Sequence, residues 1–135
     1  MMPAGQSIRV VIGLLFDTTD RILIARRTAD KRYGGLWEFP GGKVEPGESD
    51  PTALRREMRE ELDAPIVIAR VFPAYRFTFG RRSADFIPIS GTIDPTEITL
   101  LEHDDHRFIS IDEIGAFPFA PYDNKAIAML RNGLV

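Results

Sequence analysis

The chain has 135 residues, about one domain's worth of polypeptide and enough for a single core to stand alone. Hydrophobic residues make up 44% of it and charged residues 27%, an ordinary globular balance that excludes intrinsic disorder, collagen-like repeats and a disulfide scaffold. Lys and Arg total 17 against 20 for Asp and Glu, a net charge of −3 that argues against nucleic acid as partner, and the absence of cysteine excludes disulfides, thiolate zinc sites and cysteine nucleophiles.

Residues 1–7 (MMPAGQS) carry no positively charged leader region. The longest apolar run, residues 10–16, is far short of the roughly 20 needed to cross a bilayer, so a soluble, cytoplasmic protein is expected. Residues 8–16 (IRVVIGLLF) are dense in β-branched side chains and, with residues 21–25 (RILIA), read as two strands joined by a short polar connection. Residues 28–35 are a glycine-ended loop, 36–39 a short apolar stretch, and 41–48 (GGKVEPGE) are too rich in Gly and Pro for a regular element. A helix follows. Ser49 or Asp50 caps it, Pro51 suits its first turn, Leu54, Met58 and Leu62 recur at helical spacing, and Pro65 ends it. Residues 66–72, 75–79 and 86–93 read as strands, with Gly80, Arg81 and Arg82 at the turn between the last two. Residues 100–107 read as an acidic loop, 108–111 as a short strand, 111–116 as a helical turn and 124–131 (NKAIAMLR) as a closing helix. Strands with two unequal helices predict one mixed α/β (α+β) sandwich spanning residues 1–135.

The chemistry concentrates between Gly41 and Ala64. On a helix Glu57, Glu60 and Glu61 share a face, while Leu54, Met58 and Leu62 take another that can bury against a sheet. Like charges at i and i+4, as for Glu57 and Glu61, weaken a helix by about 0.2–0.5 kcal/mol, and a divalent cation would offset that directly. A solvated helix laced with ion pairs is the plainer alternative, since Arg56 stands four residues before Glu60 and Arg59 four before Asp63. The preceding loop, with Gly41, Gly42 and Gly47, favours the cation, because it lets backbone approach an ion or phosphate closely and Glu48 adds a carboxylate at the helix entrance. An all-oxygen donor set suits Mg²⁺, Mn²⁺ or Ca²⁺ over zinc.

Gly42, five residues, Glu48, seven residues, then Arg56-Glu57-Met58-Arg59-Glu60-Glu61 resembles the Nudix box, G-x5-E-x7-REU-x-EE-x-GU. Two positions depart from it. Asp63 stands for the family's Gly and Ala64 for a larger aliphatic residue, so a locally altered helix end with intact metal ligands is expected. Residues 23–42 (LIARRTADKRYGGLWEFPGG), LEHDDHRFIS and FPFAPYDNKAIAML are similar to the flanks of MutT-type members, which hydrolyse nucleoside triphosphates to monophosphate and pyrophosphate. The resemblance implies an α/β/α sandwich with a mixed sheet between helices. It implies Mg²⁺, with Mn²⁺ as substitute, bound by Glu57, Glu60 and Glu61, by the carbonyl of Gly41 or Gly42, and supported by Glu48. Arg56 would hold Glu57 in place through charge-assisted hydrogen bonds. Glu57 and Glu102 both match a catalytic base, and the choice between them stays open.

For the substrate, the resemblance places Arg27 and Arg82 near phosphate or nucleotide and Asp123 at a base-reading position. There a carboxylate acceptor favours an exocyclic amine, although Asp123 also suits the N-cap of the last helix. Glu38 alternates with Trp37 and Phe39, so it faces a cleft if they face the core. His103 and His106 read as solvated residues of the acidic loop, or as a second metal site or a histidine base. A nucleotide is the expected partner, for a monomer or homodimer. The alternative substrates are ADP-ribose, other nucleotide sugars or dinucleoside polyphosphates, and a non-catalytic Nudix-fold binding module is a further reading. Phe79 and Gly80 stand where ADP-ribose subgroups place a Pro, which counts against those subgroups.

Overall fold

The computed structural model describes residues 8–135. The sequence reading of residues 1–7 lies outside them. The longest strands come from the most β-branched segments: β1 (Ile8–Phe16) and β7 (Arg82–Ile93) run parallel and pair over the whole length of β1, from Ile8 opposite Ala84 to Phe16 opposite Thr92. β2 (Ile22–Arg27) meets β1 across the short connection, at Phe16 and Ile22, and β3 (Trp37–Glu38) pairs with β2. β5 (Ile66–Val71) and β6 (Tyr75–Phe79) both run antiparallel to β7. The eight strands among the described residues form one mixed sheet.

Two expectations are corrected. Residues 41–43 are not irregular: they form β4 (Gly41–Lys43), antiparallel to β1. Glycine makes this pairing possible, because a Cβ on Gly41 would fall 1.9 Å from the Val11 carbonyl oxygen. The acidic stretch from residue 103 is likewise a strand, β8 (His103–Ile109), paired with β2. It exposes Asp104 and Arg107 and buries His103 and Ile109, so no clean alternation marks it in the sequence.

The strand period divides the apolar residues between two cores. Val11 and Leu15 of β1 pack with Ala53, Leu54, Met58 and Leu62 of α1 (Asp50–Leu62). Ile12 and Leu14 join Ala126, Ile127 and Leu130 of α2 (Asn124–Arg131) in the other cluster. The sheet is therefore sandwiched between two helices, as the sequence implied. No helix of the described residues is long and apolar enough to cross a membrane.

Candidate active site

β4 and the start of α1 build the first half of the site. The turn between them uses Gly47 at φ +77°, and the backbone N–H of Glu45 donates to Glu48 Oε1 at 3.1 Å. The Ser49 side chain accepts from the Thr52 N–H, which caps α1. At the far end Asp63 itself takes the left-handed conformation, φ +49°, and its N–H bonds the Arg59 carbonyl at 3.1 Å. The altered helix end expected from the missing glycine is thus not seen.

Arg56 organises the carboxylates. Its Nε and Nη2 donate to the two oxygens of Glu48 at 2.8 and 2.9 Å, and Nη1 donates to Glu57 at 3.0 Å and Glu60 at 3.1 Å. A further bond from Nη2 to the Lys43 carbonyl, 2.9 Å, fixes the guanidinium to β4. The hydrogen bonds from Arg56, then the Glu45 N–H, hold the Glu48 carboxyl down at about 2. Glu57 is largely buried and lies against Gly42, whereas Glu60 is half-exposed and turned toward Arg56.

Glu61 is buried, and its Oε2 has no hydrogen-bond partner. Burial pushes its carboxyl well above the usual range, and the charges of Glu38, Glu57 and Glu102 push the same way. Residues 99–101 are tied to the end of α1 by bonds from the Thr99 N–H to the Leu62 carbonyl and from the Leu101 N–H to the Glu61 carbonyl. That tether brings Glu102 to a small polar pocket that Glu61 also lines, with Arg27, Glu38, Gly41 and His103, and there Glu102 is exposed and 3.9 Å from Lys31.

Glu38 forms the second half. Arg27 Nη1 donates to its Oε1 at 3.0 Å, the Tyr122 hydroxyl donates to the same oxygen, and His103 Nε2 lies 2.8 Å from Oε2. Burial alone would raise the Glu38 carboxyl; the bond to His103, the Arg27 charge and the Tyr122 hydroxyl outweigh it and lower it. Beside this group opens a cleft of about 220 Å³ walled by Val10, Ile12, Tyr33, Phe39, Phe79 and Tyr122. Arg27, Glu38 and Gly41 line both the polar pocket and the cleft, so the two lie side by side.

Asp123 is fully buried behind the cleft wall and is not itself a lining residue; its Oδ2 accepts from the N–H of Phe39, which is one, at 2.9 Å. Its Oδ1 has no partner, and burial followed by the Glu38 charge raises its carboxyl well above the usual range. It occupies the N-cap position of α2, as the sequence suggested, but its side chain makes no capping hydrogen bond there. Arg82 is exposed at the start of β7, opposite Phe79, and is not among the cleft's lining residues. His106 packs edge-on against Phe108, with ring centroids 6.3 Å apart, and belongs to neither pocket. Trp37 is a core residue against Phe117.

The donor set fits a divalent cation. A buried carboxylate oxygen lacks any donor, other carboxylates crowd it, and Gly42 leaves room where a Cβ would fall 2.3 Å from the Glu57 Cδ. Glu57 and Glu61, with a Gly41 or Gly42 carbonyl, offer oxygens of the kind Mg²⁺ prefers, whereas the structure turns Glu60 away to Arg56.

Residues 6–130 match the sequence model of the NUDIX domain. The chain belongs to the Nudix family. It is 34% identical over 118 residues to the CTP pyrophosphohydrolase of Escherichia coli K12, covering 84% of each protein. It is 32% identical over 122 residues to a putative 8-oxo-dGTP diphosphatase of Mycobacterium tuberculosis, covering 84% of this chain and 81% of that one. Its fold superposes on the solution structure of the Escherichia coli ORF135 protein with a TM-score of 0.78 at 30% identity, over 97% of this chain and 94% of that one. The MutT protein of Methanosarcina mazei shares the fold at a TM-score of 0.80 and 24% identity, each chain covered to 93%.

This Nudix hydrolase also holds site residues that sequence reasoning missed. Tyr122 reaches Glu38 although nothing in FAPYDNK marks it apart from Asp123. Tyr33 and Phe79 come to the cleft from a loop and a strand end far apart in sequence, so no local pattern joins them.

Proposed function

We propose that this Nudix hydrolase is a cytoplasmic, Mg²⁺-dependent pyrophosphohydrolase that converts a free nucleoside triphosphate to its monophosphate and pyrophosphate. The observation that carries the proposal is that the carboxylate pocket and the aromatic cleft share a wall, made of Arg27, Glu38 and Gly41. A planar base entering among Tyr33, Phe79 and Tyr122 directs its phosphates past Arg27 toward Glu61. Relatives named for CTP and for 8-oxo-dGTP support a triphosphate. A cleft of about 220 Å³ suits one nucleoside, and a net charge of −3 disfavours a polynucleotide.

When bound, a divalent cation neutralises phosphate oxygens and makes water more acidic. Glu57 and Glu61 hold it, Arg56 fixes Glu57, and Glu48 anchors Arg56. One Glu57 oxygen is taken by Arg56, whereas Glu102 stands exposed at the pocket mouth near Lys31. Glu102 therefore takes the proton of the attacking water, and Glu57 serves the cation. Arg27 offers its cation to the phosphate chain. Asp123 reads the base through Oδ1, which no protein donor reaches: an exocyclic amine donating there draws the buried carboxyl to its ionised, accepting form, which favours cytosine over guanine.

The test is kcat/KM with Mg²⁺ across CTP, dCTP, UTP, dATP, dGTP, 8-oxo-dGTP and ADP-ribose. Preference for cytosine nucleotides supports both the activity and the role of Asp123. Preference for 8-oxo-dGTP keeps the activity and removes that role. Cleavage of ADP-ribose alone overturns the substrate class.

A further inference from the structure

β8 does not continue its pairing with β2 evenly. Arg26 lies opposite Asp105, but Arg27 lies opposite His103, so Asp104 is an extra residue with no partner across the ladder. This is a β-bulge, a device that re-aims side chains next to functional sites. An even ladder would set Asp104 opposite Arg27 and carry His103 on to Thr28. The bulge instead turns Asp104 outward, where Arg26 Nε holds it at 2.6 Å, and puts His103 on the same side as Arg27. There His103 is buried, with Nε2 2.8 Å from Glu38 Oε2 and 3.8 Å from Glu61 Oε1.

We infer that His103 is a positioning residue that sets Glu38 beside Glu61: its Nε2 bonds Glu38 and the same nitrogen packs against Glu61 Oε1 at 3.8 Å, without a hydrogen bond. Glu38 borders the nucleoside cleft and Glu61 belongs to the carboxylate cluster, so one imidazole connects the two halves of the site. Arg27, 3.0 Å from the other Glu38 oxygen, disfavours a cation among Glu38, Glu61 and His103 themselves, which leaves His103 the task of orientation. Groups that orient metal ligands in this way typically change metal affinity or activity by about 10- to 100-fold when removed. The inference rests on the proposed cation role of Glu61.

His103→Gln and His103→Asn separate orientation from mere filling of space. Both are polar and small enough for the site, but the Gln amide nitrogen reaches the place of Nε2, and the Asn amide reaches only that of Nδ1. The readouts are Mn²⁺ binding to the nucleotide-free, full-length protein by electron paramagnetic resonance, thermal melting, and KM against kcat. His103→Asn is expected to weaken Mn²⁺ binding about ten-fold or more and to raise KM. His103→Gln is expected to stay close to wild type in both. Equal, wild-type-like Mn²⁺ affinity in the two variants, or equal losses that follow the melting temperature, would overturn the inference while leaving the proposed function standing. No Mn²⁺ binding by the wild type would overturn the cation role of Glu61 itself, and this inference with it.

Discussion

The carboxyl group of Glu57 occupies the space into which a side chain on Gly42 would project, with an added Cβ only 2.3 Å from Glu57 Cδ. Gly42 is therefore a glycine because of the carboxylate, not because of its backbone angles. Gly42→Ala is expected to displace Glu57 and lower kcat by about 10- to 100-fold, with melting little changed. Gly41→Ala is expected to behave differently, since its Cβ meets the Val11 carbonyl oxygen at 1.9 Å and breaks β4 from β1. That variant loses the fold. Near-normal kcat for Gly42→Ala would contradict the close approach.

The Glu48–Arg56 pair gives an acid limb to stability. The Glu48 carboxyl sits at about 2 in the folded chain against 4.5 unperturbed, so the folded state binds its proton less readily than the unfolded state. Its contribution is fully present above about pH 4.5 and is lost as pH falls through about 2. Urea midpoints of wild type and Glu48→Gln should differ at neutral pH and converge across that window. A difference that persists unchanged at the acid end would contradict the pairing.

Glu61 carries the opposite sign. Its folded pKa is raised above 4.5, so the folded state keeps a proton that the unfolded chain has released. Metal-free stability therefore falls as pH rises from about 4.5 through the folded value. Glu61→Gln, neutral throughout, is expected to raise the melting temperature of the metal-free protein at pH 7 while abolishing turnover. Added Mg²⁺ should raise the melting temperature of the wild type and leave that of the variant unmoved. A destabilised metal-free variant would contradict the account of Glu61.

Much of this was legible in the sequence for a physical reason. Leu54, Met58 and Leu62 report a buried helix face through a local period, and Arg56 through Glu61 sit on that same helix, so spacing alone fixes their relation. The closing helix, residues 124–131, was legible in the same way. β4 and β8 were not. Gly41 and Gly42 look like loop until Val11 is placed beside them, and His103 through His106 look like a solvated acidic run until β2 supplies the ladder. The Glu38 cluster joins residues 27, 38, 103 and 122, and no sequence period spans such separations.

Asp123 should decide the base. Asp123→Asn keeps the size of the side chain and can keep its bond from the Phe39 N–H, but replaces one acceptor oxygen by a donor. It is expected to lower kcat/KM for cytosine nucleotides about ten-fold, the effect of roughly 1.4 kcal/mol in one base contact, and to narrow or reverse the preference over guanine nucleotides. An unchanged ratio of the two would show that Asp123 does not touch the base.

The activity itself is tested most directly by ³¹P nuclear magnetic resonance of the products formed from CTP and Mg²⁺ by the wild type and by Glu61→Gln. The expected result is the appearance of CMP and pyrophosphate together with the wild type and no turnover with the variant. Formation of CDP and inorganic phosphate would place the cleavage at the wrong phosphoanhydride, and equal turnover by the variant would remove the carboxylate cluster from the chemistry.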